Sequence, residues 1–187
     1  MHSSVEKFKL VQNKVKEITN RKQLKISPKI IAVTKTWSIE KINPLLEFGH
    51  KHFGENKLQE AENKWSNIKN LHNNIQLHMI GKLQSNKAKK AVKLFDYIHS
   101  LDNAKLAHKI FRYQKELNKK VSLFIQVNIG NENQKVGISL NNLDNFFKYC
   151  TKELSLNVIG LMCLPPALPN SKKYFDKLRS IANNLTL

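Results

Sequence analysis

Six short apolar runs, each followed by a segment with helical spacing, recur roughly every 20 to 35 residues and set the fold class of this chain. The runs cover residues 29–33, 52–54, 75–80, 97–101, 121–128 and 156–162. The first shows no apolar–polar alternation, as expected for a strand buried on both faces. Regular strand–helix alternation predicts a parallel sheet covered by helices. Two architectures satisfy it, an open doubly wound sheet or an arc of a closed barrel. A dinucleotide-type open sheet carries a glycine-rich turn after its first strand. Here that turn reads Thr34-Lys35-Thr36-Trp37, and no Walker-type loop occurs. That weakens the dinucleotide reading and leaves both architectures open.

The helical segments can be placed from their apolar spacing. A leading helix over residues 4–20 carries Phe8, Val11, Val15 and Ile18 and starts at Ser3 or Ser4. Ser38 opens a turn with Ile39 and Ile42, and Pro44 reads as the first position of a new helix capped by Asn43. Leu58, Ala61, Trp65 and Ile68 mark the next helix. Ser85 caps one that turns Ala88, Ala91, Val92 and Phe95 inward, and Asp102 caps one using Leu106, Ala107, Ile110 and Phe111. A helix from about Leu140 presents Leu143, Phe146, Phe147 and Cys150. After a proline-rich loop over 164–169, Ser171 opens a last helix with Tyr174, Phe175, Leu178 and Ile181.

The formal charge of +18 would suit nucleic acid, anionic lipid or phosphorylated ligands, but nearly all of it is lysine. Arg21, Arg112 and Arg179 are the only arginines. Base-edge reading and bidentate phosphate gripping favour arginine, so the lysines read as a solvated surface and no specific nucleic-acid partner is expected. Cys150 lies on an apolar helix face and Cys163 follows an apolar strand, which suits buried thiols in a reducing compartment. No run approaches a membrane span, and residues 1–9 lack a signal-peptide core. A cytoplasmic protein without a membrane partner is the expectation.

Parallel α/β folds bind ligands at the carboxyl ends of their strands. There stand Lys35, Glu55, Asn56, His78, Gly81, the Ser85-Asn86-Lys87 stretch, Asn128 and Met162. Lys35 shares strand parity with Ile31 and Val33. On an interior face, burial would favour its neutral amine, the nucleophile that captures an aldehyde. The alternative is a lysine that simply reaches solvent at a strand end. His78 reads equally as a core histidine or as a ligand-facing one. Ser85 reads first as a cap, and it could also meet an anion. The remaining histidines show no compact metal spacing.

Taken together, residues 31–36 (IAVTKT), 52–56 (HFGEN), 78–87 (HMIGKLQSNK) and 160–162 (GLM) resemble the pyridoxal phosphate homeostasis protein family in content, order and spacing. Glu60-Ala61 and Asn128 ahead of Lys135-x-Gly137 fit as well. The resemblance implies a TIM-type (β/α) barrel like that of alanine racemase. It implies a Schiff base between pyridoxal 5'-phosphate and Lys35, with Asn56, His78, Ser85, Asn86 and Met162 around the cofactor. It further implies a non-catalytic role in intracellular cofactor homeostasis. One domain with six of eight strands is expected over residues 1–187. The family's phosphate-holding elements on strands seven and eight have no counterpart in this sequence. A cofactor-dependent racemase-like enzyme, a truncated relic and a weak nucleic-acid binder are the alternative readings. A monomer is expected, with protein partners undefined.

Overall fold

The computed structural model describes residues 3–130, 136–165 and 171–187. Helix α1 (Ser3–Arg21) leads into the first of six strand–helix units. These are β1 (Ala32–Val33) with α2 (Ile39–Glu47), β2 (His52–Glu55) with α3 (Leu58–Leu71), and β3 (Gln76–Met79) with α4 (Ala88–Leu94). The remaining three are β4 (Tyr97–Leu101) with α5 (Ala104–Glu116), β5 (Ser122–Gln126) with α6 (Leu140–Lys148), and β6 (Val158–Met162) with α7 (Ser171–Asn184). All strands are parallel, and they lie in the order β1-β2-β3-β4-β5-β6. That order decides between the two architectures. A doubly wound sheet reverses direction partway along, whereas a barrel adds each strand beside the last. Among the described residues β1 and β6 do not pair, so the sheet is an arc with two edges.

The two faces of the sheet differ in character. Trp65 of α3 packs against Phe53, with ring centroids 4.9 Å apart, which places Phe53 and Glu55 on the helix side. Leu77, Met79, Ile98, Leu123 and Ile125 continue that side and are buried. These large apolar side chains and the inward faces of α3, α4 and α5 form one core. The opposite face carries His52 and Gly54 on β2, His78 on β3, Tyr97 and His99 on β4, and Phe124 and Gln126 on β5. Gly160 and Met162 follow on β6. Gly54 belongs to this face because a β-carbon there would meet Ile31 and Ile80.

Several local expectations change. Pro44 sits inside α2 and does not open a new helix. The helix forgoes one backbone hydrogen bond there, while buried Ile42 and Leu45 hold it to the core. Ser85 caps no helix. It begins a single 3-10 turn (Ser85–Lys87), whose capping position is held by Gln84, while Lys87 holds that of α4. The cap of α5 is Asn103, not Asp102, since Asn103 accepts from the Leu106 amide at 2.9 Å. Asp102 instead accepts from Asn103 Nδ2, which orients the cap. Past Lys148, α6 widens into a π-helical turn (Tyr149–Glu153) that keeps Cys150 buried. Helix α7 buries no residue fully and leaves Phe175 exposed, because it packs on an edge strand and meets only part of a covering layer.

Candidate functional site

The turn after β1 is held from below by a buried network. Glu55 Oε1 accepts from Thr34 Oγ1 at 2.7 Å, from Lys64 Nζ at 2.9 Å and from the Trp65 indole at 2.9 Å. Lys64 also donates to the Thr34 carbonyl at 2.8 Å and to Glu60 at 3.0 Å. Glu60 in turn accepts from the Thr36 amide. Partial burial works against ionising Glu60, but the hydrogen bonds from Lys64 and Thr36 and the charges of Lys64 and Lys57 outweigh it. Its carboxyl is therefore held below the usual range. Thr36 adopts a left-handed backbone with φ of 65°, uncommon for a β-branched residue. Lys35 is thus carried on a turn clamped at Thr34 and Thr36.

Lys35 itself is exposed. The apolar enclosure considered for it is not supplied by the described residues, because β1 is an edge strand with only β2 beside it. Asn56 is exposed at the end of β2 and closely approaches the loop after β3. A β-carbon on Gly81 would lie 2.1 Å from the Asn56 carbonyl oxygen and 2.3 Å from its Oδ1. Only glycine permits that contact. Ser85 is half-buried and Asn86 and Lys87 are exposed in the same loop. Met162 ends β6 in register with Gln126, and its carbonyl accepts from the Val127 amide at 2.8 Å. Lys35 and Met162 therefore stand at the two edges of the sheet, with Asn56 and the Gly81–Lys87 loop between them at the same end. Lys135 lies outside the described residues.

His78 is buried on the open face and enters a row of rings. Its Nε2 lies 3.0 Å from His52 Nδ1, and its Nδ1 lies 2.9 Å from His99 Nε2. Tyr97 stacks on His78 with 4.3 Å between centroids, and Phe124 stacks on His99 at the same distance. Gly160 leaves room for the Phe124 ring, since a β-carbon there would come within 2.8 Å of it. Burial, with the neighbouring positive groups, pushes the His78 imidazole down to about 3, and burial pushes His99 down to about 4. Both rings are neutral at ordinary pH. Both His78 nitrogens are engaged by other histidines, so its contribution to a ligand is through ring position and support.

Sequence reasoning missed the Glu55–Lys64–Trp65 clamp and the histidine row. The spacing of Glu60 and Lys64 on α3 was the available signal for the first. His52, His78 and His99 are far apart in sequence and meet only through strand register. Both cysteines are buried thiols as expected, with Cys150 pushed up to about 12 and Cys163 also raised by burial. No described helix is long and apolar enough to cross a membrane.

Comparison with known proteins agrees with this fold. The family model described as "Alanine racemase, N-terminal domain" matches residues 10–186. The fold also resembles alanine racemase from Corynebacterium glutamicum, with a TM-score of 0.59 and 17% identity over 81% of this chain and 43% of that one. Parallel strands that each lie beside the last are thus those of an alanine-racemase-type barrel domain. Within that class the relatives are more specific. The "Pyridoxal phosphate homeostasis protein" of Aquifex aeolicus (strain VF5) is 36% identical over 160 residues, 84% of this chain and 69% of the relative. PipY of Synechococcus elongatus PCC7942, solved with PLP bound, has a TM-score of 0.76 and 32% identity, covering 90% of this chain and 79% of that one. This chain belongs to the pyridoxal phosphate homeostasis protein family.

Proposed function

We propose that this protein binds pyridoxal 5'-phosphate reversibly at the carboxyl ends of its strands and serves cofactor homeostasis without turning over a substrate. The observation that carries this reading is Lys35, an accessible primary amine on a turn clamped through Thr34 and Thr36 to the Glu55–Lys64–Glu60 network. The residues present fit the group in two respects. Lys35 offers an exposed amine between two hydrogen-bonded neighbours, and the close Asn56–Gly81 contact sets a polar residue beside the neighbouring loop. The cofactor supplies an aldehyde, which an unprotonated lysine amine condenses with, releasing water. Lys35 would provide that amine. Asn56 and Met162 would flank the ligand, with the Ser85-Asn86 loop at its rim and His78 supporting the face beneath.

A non-catalytic role is supported by the state of His78, whose two nitrogens are already hydrogen-bonded and whose proton affinity is low. It is poorly suited to shuttle protons to a substrate. Borohydride reduction after mixing with the cofactor tests the reading. A stable adduct should form at Lys35, as found by peptide mass spectrometry, and be absent in Lys35→Ala. Equal labelling of surface lysines would refute the Lys35 assignment, and Lys35-dependent multiple turnover of an amino acid would refute the non-catalytic one.

A further inference from the structure

A cavity of about 500 Å³ opens between α1 and the starts of β1 and β2, at the opposite end of the strands from Lys35. Its lining is basic without an acidic counterpart. Lys16, Lys29, His50 and His52 contribute to it, and among the described residues no Asp or Glu does. Among the described residues Asp96 is the one carboxylate felt at His52, and it is already held by Lys69 at 2.7 Å and by the Leu77 amide at 2.8 Å. Gln12 and Asn13 add neutral donors, while Phe8 and Ile30 form an apolar wall, with Phe8 packed 4.5 Å from the His50 ring. A basic rim around an apolar wall matches a small anion attached to an apolar group.

His52 links this cavity to the interior. Its Nδ1 is used by His78, which leaves Nε2 for another partner. Each neutral imidazole has a single N–H, so the two bonds in the row must run in one direction. Either all three rings carry the proton on Nδ1, with donation from His52 toward His99, or all three carry it on Nε2, with donation from His99 toward His52. Only the second arrangement presents an N–H at His52 Nε2. We propose that this cavity binds a small phosphate monoester with an apolar substituent, and that the bound anion sets the row His52–His78–His99 in its Nε2–H form. The signal would reach Tyr97 and Phe124, stacked on the last two rings, without any change in net charge.

Phenyl phosphate is a suitable probe because it carries no aldehyde and cannot react with Lys35. Titration followed by calorimetry and by ¹⁵N spectra of the histidine rings should show saturable one-site binding, equal in the natural protein and in Lys35→Ala. Binding should weaken at least about tenfold in a Lys16→Gln/Lys29→Gln double variant, the loss expected for removing charge-assisted contacts. It should be unchanged in Lys105→Gln/Lys152→Gln, which removes the same charge from exposed positions away from the cavity. At saturation the His52, His78 and His99 signals should report Nε2–H. Equal weakening in both double variants, loss of binding in Lys35→Ala, or ring signals unmoved at saturation would overturn the proposal.

Discussion

Lowering the pH should destabilise this protein well before its carboxylates begin to protonate. His78 and His99 have an ordinary value of 6.5 and are held in the folded state at about 3 and about 4. A base with a depressed folded value contributes its full share of stability above 6.5. That share is lost as the pH falls below 6.5, continuing to about 4 for His99 and to about 3 for His78. At about pH 5 the unfolded rings are mostly protonated and the folded rings are not. Each then costs the fold about 2 kcal/mol relative to neutral pH, or about 4 kcal/mol for the pair. A typical domain has only about 5–15 kcal/mol in total, so the effect should be large. His50 and His52 are also lowered, chiefly by burial, and act in the same direction. Glu60 is lowered too, but from 4.5, so its contribution is lost only below that value and leaves this window to the histidines. Urea unfolding at a series of pH values should show the midpoint falling steadily from about pH 6.5 to about pH 5 at nearly constant m-value. A flat midpoint over that range, or a His78 ring titrating near 6.5 in the folded protein, would refute the reasoning.

Two further substitutions test the clamp and the close contact beside the site. Lys64→Met leaves Glu55 fully buried without its cation and should cost about 3–5 kcal/mol in urea unfolding; an unchanged midpoint would remove Lys64 from the clamp. Gly81→Ala places a β-carbon against the Asn56 backbone, which cannot rotate away, and should cost about 1–3 kcal/mol. It should also weaken cofactor binding in a fluorescence titration, and full retention of both properties would show that the contact relaxes freely.

The strands were legible because burial leaves a local signature. Tyr97–Leu101 was read to the residue, since Asp96 and Asp102 bound a short run that holds Ile98 and Leu101 in the core between two helical patterns. Ends of elements were less legible. Ser85 and Asp102 are each the residue type that caps helices, yet the caps depend on backbone direction, and Asn103 won because its side chain reaches the Leu106 amide. Pro44 reads as a helix start on local grounds, and packing of Ile42 and Leu45 overrode it.

At the site, the sequence alone determined which residues reach the carboxyl ends of the strands. Strand period and chain order carry that information, and both are local. Tertiary structure alone decided that Lys35 is exposed, that Glu55 turns under the sheet to hold its turn, and that His52, His78 and His99 form one hydrogen-bonded row. Those outcomes depend on register between strands and on what covers each face. They come from residues dozens of positions apart brought within about 3 Å, a distance over which no local pattern extends.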